Sequence, residues 1–195
     1  MTMLATLEEV KTNRKVASGD TSQDAALMAW IEAASWVIEE YTHRRFEKAE
    51  RTEWFEGGLK SLAVKAYPIE SVQSVVVDGV EADVANCIVD SSRGIIHFKR
   101  GFGTREGAAG YEVEVTYTGG FEEDAYPAAA KQACLLLVDR FVDSAEEQGQ
   151  LVQSEKLGDY SITYAKYSVG DDASGLGVFC PAAALFIKSL SGRAF

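Results

Sequence analysis

Cysteine and histidine are scarce in this chain of 195 residues, which contains three cysteines and two histidines. The cysteines are widely spaced, and no two of them form a C-x-x-C pair. This spacing argues against a disulfide framework and against a thiolate metal site. The histidines, His43 and His97, both lack a second ligand at the spacing of a metal-binding motif. We therefore predict no metal centre and no cofactor.

Long apolar runs and an excess of positive charge are also missing. No segment approaches the roughly 18 consecutive apolar residues of a membrane span, and the N-terminus lacks the basic-then-apolar pattern of a signal peptide. The net charge is −11, from 19 basic and 30 acidic residues. A protein that holds DNA phosphates needs the opposite sign, whereas a surface past which DNA slides should repel them. We expect a protein made in the cytoplasm, with no membrane contact and no specific DNA binding.

Recognisable catalytic motifs are absent as well. The glycine-rich segment 101–110 fails the G-x-G-x-x-G pattern because Glu106 stands where a glycine is needed, and no G-K-[ST] follows. No serine lies in a G-x-S-x-G motif. A locally basic stretch contains Arg93, Lys99, Arg100 and Arg105. It could contact DNA or an acidic neighbour, although a charged sheet edge is the ordinary interpretation. We predict no catalytic residues.

Helical periodicity marks two long segments and two short ones. Thr6 and Glu9 form a T-x-x-E capping box before a short helix. Apolar residues at steps of three and four predict a long helix over 22–45, and a proline opens a second one over 127–145. A last short helix is expected over 181–190. The apolar stripes of the long helices should face each other through Trp30, Ile31, Ile38, Cys134, Leu137 and Phe141.

Between the long helices the periodicity changes to two, which is typical of strands. The expected strands are Glu53–Phe55, Leu62–Lys65, Ser74–Val77, Cys87–Val89, Ile95–Phe98 and Val113–Tyr117. Asp78-Gly79 predicts a hairpin turn, and Ser91–Gly94 a four-residue loop. Another strand is expected near 160–165. We predict an α+β fold: a small bundle of two long helices plus short terminal helices, with an antiparallel sheet or barrel-like insert over 51–120.

Two motif regions resemble a known family. The first is LATLEEVK, a D-x-x-L helix entry at Asp24–Leu27 and a long helix that ends in Y-T-x-R-R-F at Tyr41–Phe46. The second is VEVTYTGGF at Val113–Phe121, a proline-led helix, and SEKLGDYSITYAK at Ser154–Lys166. In their order and spacing these regions resemble the phage head–tail connector proteins, also called adaptor or head-completion proteins.

The resemblance implies a structural virion protein and no enzyme. It implies a closed ring of about twelve copies under the portal in the virion neck, joining head to tail, since head-to-tail contacts that close give a cycle. DNA would pass through the ring without specific binding. The implied partners are the portal protein, a downstream neck or tail protein and other copies of this chain. The alternatives are another neck or tail ring protein, such as a tail terminator or stopper, and a small accessory enzyme.

The resemblance and the charge pattern together give two sets of candidate residues. The connector domain is expected over 1–180, with a C-terminal docking helix or tail over 181–195. Exposed apolar clusters usually mark interaction surfaces, and three consecutive apolar residues in this tail cannot all be buried easily by one short helix. The portal-docking candidates are Leu185, Phe186, Ile187, Leu190 and Phe195. The candidates for an acidic surface facing the channel are Asp139, Asp143, Glu146 and Glu147.

Overall fold

The two kinds of periodicity fold into two compact units. The computed structural model describes residues 2–99, 112–146, 154–157, 160–163 and 180–190. Among these residues, those up to Thr42 and those from Pro127 onwards form the helical unit, and those from His43 to Tyr126 form the β unit. Helices and antiparallel sheets occupy separate stretches of the chain, which confirms the α+β class.

The helices and strands follow one another in the order expected from the sequence. They are α1 (Leu7–Asn13), α2 (Asp24–Thr42), β1 (Ala49–Glu56), β2 (Ser61–Ala63), β3 (Ile69–Val77), β4 (Val80–Ala82), β5 (Cys87–Asp90), β6 (Ile95–Phe98), β7 (Glu112–Gly119), α3 (Ala128–Glu146), β8 (Ser154–Leu157), β9 (Tyr160–Thr163) and α4 (Pro181–Leu190). Strands β4 and β8 were not predicted. The expected strand near 160–165 corresponds to β9, and its last two positions lie outside the described residues.

Local side-chain chemistry fixes the helix ends. The capping box before α1 is confirmed, because the Glu9 amide donates to Thr6 Oγ1 at 3.2 Å and the Thr6 amide donates to Glu9 Oε2 at 2.8 Å. Helix α2 ends at Thr42, earlier than the expected residue 45, because His43 has a φ of 51° and leaves the right-handed helical region. The arginines that follow therefore lie outside the last helical turn.

The core of the helical unit contains the apolar stripes of α2 and α3. Ile31, Ile38 and Leu137 are fully buried. The rings of Trp30 and Phe141 lie 5.5 Å apart between their centroids. A buried hydroxyl lies between the two stripes: Ser35 Oγ accepts a hydrogen bond from the Leu4 amide at 3.0 Å and lies 3.7 Å from the Cys134 sulfur. Burial raises the pKa of the Cys134 thiol to about 11, so this cysteine is a neutral core residue at neutral pH.

The β unit contains two antiparallel sheets, where the sequence predicted an antiparallel sheet or a barrel-like insert. The four-stranded sheet has the order β1-β7-β3-β4, and the three-stranded sheet has the order β2-β6-β5. Buried side chains from both sheets form a single core: Leu62, Val64, Ala66, Ile69, Val75, Ile96, Val113, Val115 and Tyr117. Since both sheets face this core, their other faces lie on opposite sides of the unit.

Both predicted turns of the β unit are confirmed. Asp78 and Gly79 connect β3 to β4 with φ angles of 51° and 77°, the left-handed pair that a two-residue hairpin requires. Ser91–Gly94 closes the loop between β5 and β6, with Gly94 at a φ of 65°. The strand expected over Leu62–Lys65 ends at Ala63, because the Lys65 amide donates to the Glu53 carboxylate at 3.0 Å instead of to a neighbouring strand.

Candidate interaction surfaces

Two of the motif segments meet inside the β unit. Residues 44–46 of the first motif region lie against residues 119–121 of the second, and we call this contact the motif junction. The Phe121 amide donates to the Phe46 carbonyl at 2.7 Å, and the Lys48 amide donates to the Phe121 carbonyl at 2.9 Å. Phe46 is fully buried. The motif junction therefore joins the first residues of the β unit to the end of β7, an inner strand of the four-stranded sheet.

The two glycines of the motif junction are required by close backbone contacts. A Cβ atom at Gly119 would lie 2.4 Å from the carbonyl oxygen of Ala66, which is far inside van der Waals contact. Gly120 has a φ of 109°, and a Cβ atom there would lie 2.6 Å from the Glu47 carbonyl oxygen. Only glycine fits both positions without displacing backbone atoms.

A buried arginine completes the motif junction. Arg44 is buried, and its Nη2 donates to the Tyr67 carbonyl oxygen at 3.0 Å. The guanidinium carbon lies 3.5 Å from the centroid of the Tyr67 ring and 4.9 Å from that of Phe46. Planar stacking of this kind suits arginine better than lysine. Arg44, the first of the two arginines in the Y-T-x-R-R-F motif, is therefore a structural residue of the β unit.

A second polar network lies at the centre of the four-stranded sheet. Tyr117 is fully buried, and its hydroxyl accepts a hydrogen bond from the Ala66 amide at 3.0 Å while donating a short one to the Glu53 carboxylate. Burial, followed by the hydrogen bond to Glu53, raises the pKa of Tyr117 well above its usual range. The phenol therefore stays protonated and keeps both contacts.

The C-terminal helix divides the predicted docking residues into two groups. Leu185 is 72% exposed and Phe186 is 37% exposed, whereas Ile187 is fully buried and Leu190 nearly so. The buried pair lies on the side of α4 that packs within the helical unit against α3. Phe195 lies outside the described residues. Only Leu185 and Phe186 of the described candidates present large apolar side chains to solvent.

The predicted acidic residues of α3 are partly neutralised by α1. The Arg14 guanidinium lies 3.3 Å from the Asp139 carboxylate and 3.2 Å from that of Asp143. Asn13 Nδ2 also donates to Asp139 at 2.7 Å. Asp143 keeps half of its side chain exposed. The side chain of Glu146 and all of Glu147 lie outside the described residues, so the acidic surface is represented here by one aspartate pair.

Other exposed apolar residues were not singled out from the sequence. Trp36 on α2 is 54% exposed, and Met28 lies two turns earlier on the same helix with 43% exposed. In the β unit, Trp54 on β1 is 58% exposed and Ile88 on β5 is 56% exposed. Large exposed aromatic residues are enriched at protein interfaces, so these positions extend the set of candidate contact residues.

Among the described residues, no group of three or more histidine, cysteine, aspartate or glutamate side chains is arranged to hold a metal ion. No helix in the described part of the chain is long and apolar enough to cross a membrane.

Comparison with known proteins identifies the family. The model of the family described as "Head completion protein" matches residues 3–164, which is most of the chain and includes the first motif region and all but the last two residues of the second. The chain belongs to the head completion protein family. The resemblance to phage head–tail connectors is thereby confirmed. A comparison with curated proteins gave no match.

Solved structures give the same fold for this head completion protein. A chain from the neck of an empty gene transfer agent particle, computed with C6 symmetry, is 20% identical with a TM-score of 0.57. A chain from the native gene transfer agent virion is 18% identical with a TM-score of 0.58, and one from the native neck computed with C12 symmetry is 18% identical with a TM-score of 0.55. Each match covers 97% of this chain and 90% of the other.

Within the head completion protein fold, sequence reasoning found the motif segments but missed what they do. The tyrosine and the two glycines of the TYTGG segment lie at the internal junctions described above. A signal was available for Tyr117, because a tyrosine on the buried side of an alternating strand needs a partner for its hydroxyl. The partners Glu53 and Ala66 lie 64 and 51 positions away in the sequence, so local pattern could not identify them.

Proposed function

We propose that this head completion protein is a structural subunit of the neck of a phage or phage-derived particle, where it joins head to tail as a head–tail connector. The observation that carries the proposal is the family match combined with a fold likeness over almost the full chain to subunits of gene transfer agent necks. In this role the subunit forms a closed ring, and a neck computed with C12 symmetry supports about twelve copies.

The portal protein is the proposed partner of α4. Leu185 and Phe186 are adjacent, exposed and apolar, and they lie on a helix whose opposite side is anchored by Ile187 and Leu190. An anchored helix presents its exposed residues in a fixed geometry, which reduces the entropy lost on binding. The proposed contact is therefore narrower than the predicted set and consists of this exposed pair.

The acidic residues of α3 are proposed to face the DNA channel. Asp143 is half exposed and lies one helical turn from Asp139. Arg14 supplies one positive charge to these two carboxylates, so the pair keeps a net negative charge, and such a surface repels DNA phosphates. The proposed role is to leave the passage of DNA unhindered.

Electron microscopy of the subunit mixed with its portal tests the proposed function directly. We expect additional ring density beneath the portal, coaxial with the DNA channel. Density for the subunit anywhere else on the particle would contradict the neck assignment.

Point variants test the portal contact better than truncation, because removal of Leu190 would also remove a core residue. The double variant Leu185→Ser/Phe186→Ser should fold normally and lose portal binding. The matched control is Met28→Ser, which changes an exposed apolar residue on another helix. Retained portal binding by the double variant would contradict the proposed contact.

A further inference from the structure

The outer face of the four-stranded sheet, which we call the acidic face, carries five glutamates: Glu50, Glu56, Glu81, Glu112 and Glu114. Cross-strand register places them on the same side as Trp54, since Trp54 pairs with Glu114, Glu114 with Val76, and Val76 with Glu81. Of the five glutamates, Glu50, Glu56, Glu81 and Glu112 are exposed. The hydrogen bond between the Thr52 and Thr116 hydroxyls, 3.0 Å long, confirms which side these strands share.

This arrangement of charges is unfavourable for an isolated sheet. Glu56 lies directly opposite Glu112, and like charges at opposed positions destabilise a strand pair. Among the described residues, no lysine or arginine forms an ion pair with these five glutamates. Trp54, exposed on the same face, adds apolar area and an aromatic ring that attracts cations. The acidic face therefore suits a partner that carries positive charge.

The opposite side of the same unit has complementary properties. The outer face of the three-stranded sheet and its flanking turns, which we call the basic face, carries Lys60, Arg93 and Lys99, together with His97. Ile88 is paired with His97 and is 56% exposed on this side. Two acids on this side keep their negative charge: Asp83 accepts from the Ala85 amide at 3.0 Å, and Asp90 accepts from the Arg93 amide at 3.2 Å and lies 3.9 Å from Arg93 Nε. The three cations outnumber these two acids by one, so their net charge is opposite in sign to that of the acidic face.

A subunit of a closed ring requires two different surfaces that fit each other and lie on opposite sides. The β unit has such a pair, because both sheets face one core and their outer faces point away from each other. We infer that the acidic face around Trp54 binds the basic face around Ile88 of a second copy of this chain, and that this heterologous contact is the ring interface of the β unit. The inference rests on the proposed ring function and names its contact.

Disulfide trapping distinguishes a heterologous contact from a symmetric one. In a Cys87→Ser background, the single variants Trp54→Cys and Ile88→Cys are purified separately and oxidised at millimolar concentration. An equimolar mixture should give a covalent dimer, whereas each variant alone should give none. The double variant Trp54→Cys/Ile88→Cys should give a ladder of covalent oligomers, because each copy then carries both halves of the contact.

Charge reversal supplies the control for specificity. Adding Glu114→Lys to the Trp54→Cys chain should abolish the mixed dimer, and adding Lys99→Glu to the Ile88→Cys chain should restore it. The matched control Glu70→Lys alters an exposed glutamate that ion-pairs with Lys48 and should leave trapping unchanged. Failure of the mixture to cross-link, or equal cross-linking of each single variant with itself, would overturn the inference. If trapping fails while the subunit still occupies the neck, the contact is wrong and the proposed function stands; absence from the neck refutes the function instead.

Discussion

Replacement of Tyr117 by phenylalanine should destabilise the β unit by about 1–3 kcal/mol, and the figure follows from which partner loses its hydrogen bond. The substitution keeps the ring in the core and removes only the hydroxyl. The Ala66 amide, buried and 3.0 Å from that hydroxyl, would then have no acceptor in its place. An unsatisfied buried donor costs about 1–3 kcal/mol.

The second partner contributes less. Glu53 is half-buried and also accepts from the Lys65 amide at 3.0 Å, so water and this amide can replace the lost phenol. The variant Glu53→Gln should therefore cost less than about 1 kcal/mol, since its amide oxygen still accepts hydrogen bonds. Comparison of the two variants separates the stability contributed by the hydrogen bond to the buried Ala66 amide from that contributed by the hydrogen bond to the half-buried Glu53 carboxylate.

Urea denaturation followed by tryptophan fluorescence measures both variants. A Tyr117→Phe protein as stable as the parent would refute the hydrogen-bond assignment. The raised pKa of Tyr117 adds an independent result: the stabilisation is fully present below the unfolded value near pH 10 and is lost as the pH rises through the higher folded value. Tyr117 should thus ionise at a higher pH than an ordinary tyrosine. Because the chain has eight tyrosines, this is measured as the difference in phenolate absorbance between the parent and the Tyr117→Phe protein.

Three further variants test separate parts of the fold. Gly119→Ala should destabilise the β unit by about 1–3 kcal/mol through overpacking. The control Gly19→Ala should not change stability, because no atom lies within 4 Å of its added Cβ. Equal denaturation midpoints for the two variants would contradict this. Leu137→Ala should cost about 2–5 kcal/mol, and unchanged thermal denaturation would mean that the side chain is not in the core. The hydrogen bond from the Thr6 amide is the main cause that holds the pKa of Glu9 below its usual value. The stability that Glu9 contributes should therefore be present above about pH 4.5 and be lost in more acidic solution. A Glu9→Gln variant with the same acid denaturation profile as the parent would refute this.

The parts of the fold that follow from neighbouring residues were predictable. The capping box of α1 joins two residues three positions apart, and the hairpin turn of Asp78-Gly79 depends on the residues in the turn itself. The class of the fold followed from the change of period between helices and strands. The division of the strands into two sheets did not, because strand order depends on pairings between distant segments such as β1 and β7.

Long-range polar contacts were beyond sequence reasoning for the same reason. Lys131 lies 3.3 Å from Glu9, and Arg14 reaches Asp139 from a position 125 residues away. Nothing in the local pattern of α3 indicates that two of its predicted channel-facing acids, Asp139 and Asp143, share a cationic neighbour. Formal charge counted along a segment therefore overstates the field that the folded surface presents.

The C-terminal helix shows where a finer use of periodicity would have improved the site prediction. Its buried residues are Ala183, Ala184, Ile187 and Leu190, which follow the three- and four-residue steps of one helical face. Leu185 and Phe186 fall between those steps and are exposed. Once a helix over 181–190 is predicted, the same periodicity assigns Ile187 and Leu190 to the core and leaves the other pair for a partner. The prediction from hydrophobicity therefore grouped four residues of α4 that helical geometry divides into a buried pair and an exposed pair. The family motifs could not correct this, because the residues of the motif junction and Tyr117 support the backbone of the β unit and lie outside α4.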